Sequence, residues 1–205
     1  HTVTEAIYSL DLVACQLLIA CGRRISELAL PTQPHGCAIQ ARVNMERISP
    51  SGQVLPAGGT LSAYDPPAGP GLRVDGFAYA GYTTSAHYDS LLAKVIVHSD
   101  SFAAARTRAM RALAEFRIDG CETNLSWLRA LLARPETAGY SVTTRFIEAQ
   151  AAALAESAAA LPGATYGLAS STQTTSASVE LPAGHQAINA PMQATVVSVT
   201  VQPGD

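Results

Sequence analysis

Ala38-Ile39-Gln40-Ala41-Arg42-Val43-Asn44 alternates apolar and polar side chains with a period of two residues. Ile39, Ala41 and Val43 fall on one face of an extended chain, and Gln40, Arg42 and Asn44 on the other. That is the pattern of a half-buried strand with one face on a core. Further short strands are predicted around Thr60–Tyr64, Leu72–Tyr79 and Leu92–His98, separated by Pro- and Gly-rich turns such as Asp65-Pro66-Pro67-Ala68-Gly69-Pro70-Gly71. Strands that follow at such short intervals favour an antiparallel sheet.

The flanks change period. Upstream, Ile7, Leu10, Val13, Leu17 and Leu18 recur at helical spacing, with Thr4 to cap the start and Gly22 the end, so one helix is predicted from Thr4 to Cys21. A short helical turn, Ile25 to Leu30, stops at Pro31. Downstream, Ser101 caps a helix over Phe102–Phe116 whose apolar stripe is Phe102, Ala105, Ala109, Leu113 and Phe116, with Arg106, Arg108 and Arg111 mostly off it. Asn124–Leu132 places Leu125, Leu128 and Leu132 on one face, and a third helix runs from about Thr144 through the alanine-rich stretch to Leu161. Strands followed by helices give an α+β domain: an antiparallel sheet with packed helices over residues 1–160.

Beyond it the composition shifts. No charged residue lies between Glu156 and Glu180, and Ser, Thr, Ala and Gly dominate, so residues 161–184 are predicted to form a flexible linker. Strand character returns over residues 185–205, where Val197, Val199 and Val201 share a side before a turn at Pro203-Gly204-Asp205. One or two strands are not stable alone. The expectation is therefore the start of a second domain, in a piece of something longer.

In 205 residues, 48% are apolar but only 6% aromatic and 14% charged, and the net charge is -3. No polybasic face exists for nucleic acid, and no apolar run reaches the roughly 20 residues of a membrane-spanning helix. The four cysteines form no C-x-x-C pair, and they read as reduced thiols of a cytoplasmic protein. The five histidines show no metal-ligand spacing, so no metal site is predicted from this chain. There is no P-loop, no G-x-G-x-x-G and no nucleophile elbow.

Two places carry chemistry. Arg42, on the polar face of its strand, is either a solvated surface arginine or a planar cation aimed at a carboxylate, phosphate or developing oxyanion. The segment from Tyr79 to Ser90 is dense in polar aromatics. Within it, Asp89 either orients an arginine or caps a helix. Lys94, the only lysine beside twelve arginines, either pairs with an acid or snorkels.

His1-Thr-Val-Thr-Glu5, Leu12 to Gly22 and Gly36-Cys-Ala-Ile-Gln-Ala-Arg42-Val-Asn44 then resemble the carboxy-terminal part of biotin carboxylase domains. So do Leu72-Arg73, Tyr79-Ala-Gly-Tyr82, Tyr88-Asp89-Ser90, Lys94, Ile118-Asp-Gly120, Thr123-Asn124 and Thr143-Thr-Arg-Phe-Ile147, in the same order and spacing. Asn189-Ala-Pro-Met192-Gln-Ala-Thr-Val-Val197 resembles the first strands of a biotinyl carrier domain, a biotinyl/lipoyl-type fold whose biotin-bearing lysine is absent from this chain. The resemblance implies part of a multidomain biotin-dependent carboxylase of acyl-CoA or pyruvate type. Its biotin carboxylase, an ATP-grasp ligase, uses ATP, Mg2+ and bicarbonate to make carboxyphosphate and carboxylates biotin.

It also implies roles. Arg42 matches the arginine that stabilises charge on the biotin ureido oxygen, and Asp89 supports the pocket. Thr144 falls at the edge of the adenine site, and Pro70 and Arg73 at a homodimer contact. The carrier domain and a carboxyltransferase, downstream or separate, are the implied partners. The magnesium carboxylates, the phosphate-covering loop and the catalytic glutamate fall before His1, so the chain alone is expected to be inactive. Cys37 stands where relatives usually carry histidine, and Met45 where a small residue is common. The alternatives are a non-catalytic docking or dimerisation module and, more distantly, an ATP-grasp relative such as a carbamoyl phosphate synthase.

Overall fold

The computed structural model describes residues 1–49, 51–85 and 88–161. The linker expected over 161–184, but for its first residue, and the carrier strands expected over 185–205 lie outside the described residues. The alternating stretch forms β1 (Cys37–Asn44). It joins β2 (Glu46–Ile48) and β3 (Val54–Pro56), a small hairpin, then β4 (Ala63–Asp65) and β5 (Leu72–Gly76). β6 (Leu91–Ser99) follows, and β7 (Arg117–Asp119) comes after the first long helix.

β6 is the centre of a three-stranded sheet of order β1-β6-β5, antiparallel on both sides. This position explains its composition. Leu92, Ala93, Val95, Ile96 and Val97 are all buried, and only Lys94 and His98 break the run. β4 and β7 make a separate antiparallel pair. The strand expected at Thr60–Tyr64 is displaced to Ala63–Asp65, with Thr60 bridging Thr83 alone, and the one expected at Leu72–Tyr79 stops at Gly76.

The helix α3 (Phe102–Glu115) starts where the Ser101 hydroxyl accepts the Ala104 amide at 3.3 Å. It buries Ala105, Ala109, Ala112 and Leu113, and three of these are alanines, which lets it lie close on the sheet. The core beneath it is Ala41, Val43, Ala93, Val95 and Val97. Phe116 ends the stripe, 2% exposed, with its ring edge-on to Tyr64 at 5.4 Å. The same burial pushes the Tyr64 phenol above its ordinary pKa. Phe116→Ala is expected to cost about 3–5 kcal/mol, measured by urea unfolding, because no neighbour can fill an aromatic void in a packed core. A loss under about 1 kcal/mol would contradict that placement.

Two further helices answer each other across the sheet's end. α4 (Leu125–Ala133) is amphipathic twice over. Leu125, Leu128 and Leu132 pack on the sheet core, while Trp127 and Ala130 pack on Leu154 and Ala158 of the last helix. After α5 (Pro135–Ala138) that last helix, α6 (Phe146–Ala160), starts two residues later than Thr144. The off-stripe arginines of α3 have work to do. Arg106 donates to the carbonyls of Leu132 at 2.5 Å and Ala133 at 3.1 Å, closing the end of α4, and Arg108 donates to the His98 carbonyl.

The amino-terminal helix is where the expectation fails. Instead of one helix from Thr4 to Cys21 there are two, α1 (Thr2–Tyr8) and α2 (Leu12–Ala20), bent by 95°. Ser9 adopts a left-handed φ of 50°, and Asp11 restarts the chain by accepting the Ala14 amide at 2.8 Å. The Glu5 carboxylate takes the Leu12 amide at 3.2 Å across the corner. Local capping thus overrides the helical period. α1 lies on the polar side of β1 and β6, whereas α2 buries nothing and leaves Val13 and Leu17 60% and 63% exposed. No single helix among the described residues is long and apolar enough to cross a membrane. The helical turn foreseen at Ile25–Leu30 is a 3-10 turn of Ile25–Glu27.

Candidate functional site

The face of the sheet away from α3 carries the polar side chains. In register across it stand Arg42 of β1, Lys94 of β6 and Asp75 of β5. Arg42 Nη2 donates to Asp89 Oδ2 at 3.4 Å, so the structure brings together the two residues singled out in the sequence. Asp89 thus faces an arginine, and the element that follows it is the strand β6, not a helix to be capped. Both side chains are open, 47% and 70% exposed, and a single long contact in that setting contributes no more than about 1 kcal/mol. The pair does not hold itself in place.

The backbone around it does. β1 shifts register between Val43 and Asn44. Buried Asn124 clasps the irregularity: its Nδ2 donates to the Arg42 carbonyl at 3.1 Å and its Oδ1 accepts the Asn44 amide at 3.0 Å. The Asn124 amide in turn donates to the Asn44 carbonyl at 3.1 Å. Each of these groups would otherwise be an unpaired backbone polar atom near the core. Arg42 therefore stands half exposed on a clasped strand end, just before the register shift. β-bulges can re-aim a neighbouring side chain.

Asp89 is held from the other side. The next residue, Ser90, donates its hydroxyl to Glu46 Oε1 at 2.6 Å, and its carbonyl accepts the Met45 amide at 2.7 Å. Asn44 Nδ2 lies 3.2 Å from both Glu46 oxygens. Met45 itself is buried with Leu61 and Leu92. The start of the loop is pinned as well, Gly81 donating to the Leu61 carbonyl at 2.7 Å and Leu61 to that of Tyr82 at 2.9 Å. A cleft of about 500 Å³ opens beside it, lined by Met45, Gly58, Thr83, Tyr88 and Ser90 among others.

Other expected residues lie apart. Arg73 forms a two-pronged pair with Asp75, 2.7 Å at each oxygen, and reaches Glu5 at 3.3 Å. These bonds push its pKa further up, with the Asp75 hydrogen bond the first cause, so it is a fixed cation. Pro70 is exposed in the turn before β5. Thr144 is exposed in the turn leading into α6, and no hydrogen bond among the described residues ties it to Arg42 or Asp89. A hollow of about 850 Å³ between α1 and the sheet is lined by Glu5, Arg73, Asp75 and Lys94 among others. No group of three His, Cys, Asp or Glu among the described residues is placed to hold a metal ion. Burial pushes the Cys121 thiol above its usual pKa, and the four cysteines are free.

Residues 40–149 match the family model of the biotin carboxylase C-terminal domain, a span that begins just before Arg42 and closes in α6. The chain belongs to that family.

This biotin carboxylase C-terminal domain is 40% identical over 152 residues to mitochondrial pyruvate carboxylase of Homo sapiens, covering 72% of this chain and 13% of that protein. Among solved structures it superposes on a single-chain, multi-domain long-chain acyl-CoA carboxylase with a TM-score of 0.71 and 44% identity, covering 81% of this chain and 18% of that one. It is also similar to the biotin carboxylase domain dimer of Hydrogenobacter thermophilus 2-oxoglutarate carboxylase, solved with MgADP, ADP and bicarbonate. There the TM-score is 0.69 and the identity 32%, over 75% of this chain and 34% of that one. The chain thus spans a small part of these relatives.

Sequence reasoning missed Glu46 and Asn124 as parts of the site. The signal for Glu46 was faint: a carboxylate two residues past the end of the alternating strand at Asn44. Nothing local foretold that Asn124, 80 residues beyond Asn44, would clasp the strand.

Proposed function

We propose that residues 1–160 are the carboxy-terminal lobe of a biotin carboxylase, and that Arg42 acts on the negative charge that develops on the biotin ureido oxygen during ATP- and bicarbonate-dependent carboxylation. The observation that carries this is the Arg42 guanidinium, still half exposed, projected from a clasped strand end beside Asp89. A planar, permanently charged guanidinium carried on a clasped strand end stabilises a forming oxyanion as the charge appears. Asp89 draws one donor of the fork.

The described residues fit this one end of the reaction. In this reading ATP and Mg2+ are held mainly by an ATP-grasp lobe outside residues 1–160. In the same reading Thr144 lies at the adenine edge, and Pro70 and Arg73 sit at a homodimer contact. Residues 161–184 link to a biotinyl carrier domain beginning at 185. A carboxyltransferase takes the carboxyl group on to an acyl-CoA or a pyruvate-type acceptor, in the cytoplasm. The bare apolar row of α2 supports a further surface of the carboxylase covering it.

That same row favours the second reading, a non-catalytic docking or dimerisation module. One experiment separates them. Residues 1–205 alone are expected to release no ADP with bicarbonate and free biotin, whereas the polypeptide joined to an ATP-grasp lobe forms carboxybiotin. If the joined polypeptide binds a partner through α2 and carboxylates nothing, the docking reading replaces ours.

A further inference from the structure

We infer that Glu46 is a positioning residue for the Arg42–Asp89 pair, acting through Ser90; this rests on the role proposed above for Arg42. The pair has one contact of 3.4 Å between two open side chains, too weak to decide where the Asp89 loop lies. The loop must be placed by something stronger. Glu46 meets that need on both sides: it accepts the Ser90 hydroxyl at 2.6 Å, one residue from Asp89, and the Asn44 side-chain amide at 3.2 Å, two residues from Arg42. A hydrogen bond to an ionised carboxylate is about twice as strong as a neutral one, and this one is half buried. The Met45 amide bonded to the Ser90 carbonyl at 2.7 Å makes a second tie beside it. Strand end and loop therefore move as one body, with Glu46 as the bridge.

The rearrangement open to variants follows from the same atoms. Asn44 Oδ1 is buried without a partner among the described residues. In Glu46→Gln the remaining side-chain oxygen still takes the Ser90 hydroxyl, and the new amide N–H meets Asn44 Oδ1 once that side chain turns over. Glu46→Ala loses both ties.

The test is the ratio of carboxybiotin formed to ATP cleaved in the complete carboxylase, since general loss of folded protein lowers both rates and leaves their ratio alone. Glu46→Ala is expected to lower the ratio about tenfold, and Glu46→Gln to keep it within about twofold of the parent. In an Asp89→Ala background Glu46→Ala should lower it less than about twofold further, because it acts through that residue. Should Glu46→Ala fail to fold, Ser90→Ala cuts the same bridge and is expected to show the same drop. Full losses in both backgrounds, or falling rates at an unchanged ratio, would overturn the inference. Its failure is separable from that of the function: an Arg42→Ala enzyme with an undiminished ratio removes the function, whereas a loss at Arg42 with none at Glu46 or Ser90 removes only the bridge.

Discussion

Arg42→Ala in the complete carboxylase is expected to lower biotin carboxylation by about 10²–10³-fold, the effect of deleting one preorganised donor to a developing oxyanion. Bicarbonate-dependent ATP cleavage should fall far less, since that chemistry is assigned to residues outside the described lobe. The two rates are read on one sample, as labelled carboxybiotin and as ADP. Arg42→Lys is expected to recover only part of the loss, because a point charge on a flexible stem cannot both take Asp89 and face the substrate in one plane. Equal losses in carboxylation and ATP cleavage would sink the role, for they would mean that Arg42 supports the whole domain. The fold gives a reason to expect the split. The side chain is half exposed and lies outside the apolar clusters, so its removal opens no cavity.

The second large effect is on stability. Gly120→Ala is expected to cost about 3 kcal/mol, combining a left-handed backbone with overpacking. For a protein of this size that is a fall of roughly 6–12 °C in Tm. Gly120 has φ of +89°, and a Cβ there would collide with the Thr60 carbonyl and lie 2.9 Å from the Ser62 amide. Both neighbours are backbone, tied to β7 through the Ser62 amide and the Asp119 carbonyl at 2.9 Å, so neither yields easily. Gly22 is the control. Its φ is +92° but nothing lies within 4 Å of its Cβ direction, so Gly22→Ala should cost only about 1 kcal/mol. Comparable losses at the two positions would show that backbone conformation alone, not the close approach, limits Gly120. The two sites also connect: Gly120 opens the turn that delivers Asn124 to the end of β1, so its replacement should loosen Arg42 as well.

Much of this was legible along the chain. The two-residue period of Ile39, Ala41 and Val43 against Gln40, Arg42 and Asn44 placed β1 and its polar face, because a strand exposes every second side chain whatever surrounds it. Ser101 and the alanine stripe placed α3 almost to the residue. Where two local signals competed, the longer-range one was misleading. The apolar period through Leu10 argued for a continuous helix, but Asp11 offered a cap and Ser9 a left-handed turn, and the chain took the corner. Strands of three residues, such as β2, β3 and β7, are too short for any period to register.

The sequence by itself therefore determined the family, the antiparallel sheet, the helices that pack on it, and Arg42 and Asp89 as candidates, since each rests on spacing within a few residues or on motifs in fixed order. Only the tertiary structure decided what holds those candidates in place. The clasp of Asn124 on the strand end spans 80 positions, and the bridge from Ser90 to Glu46 spans 44. Neither partner carries a mark of it, because a hydrogen bond is set by where the folded backbone delivers two groups, and separation along the chain leaves that distance undetermined.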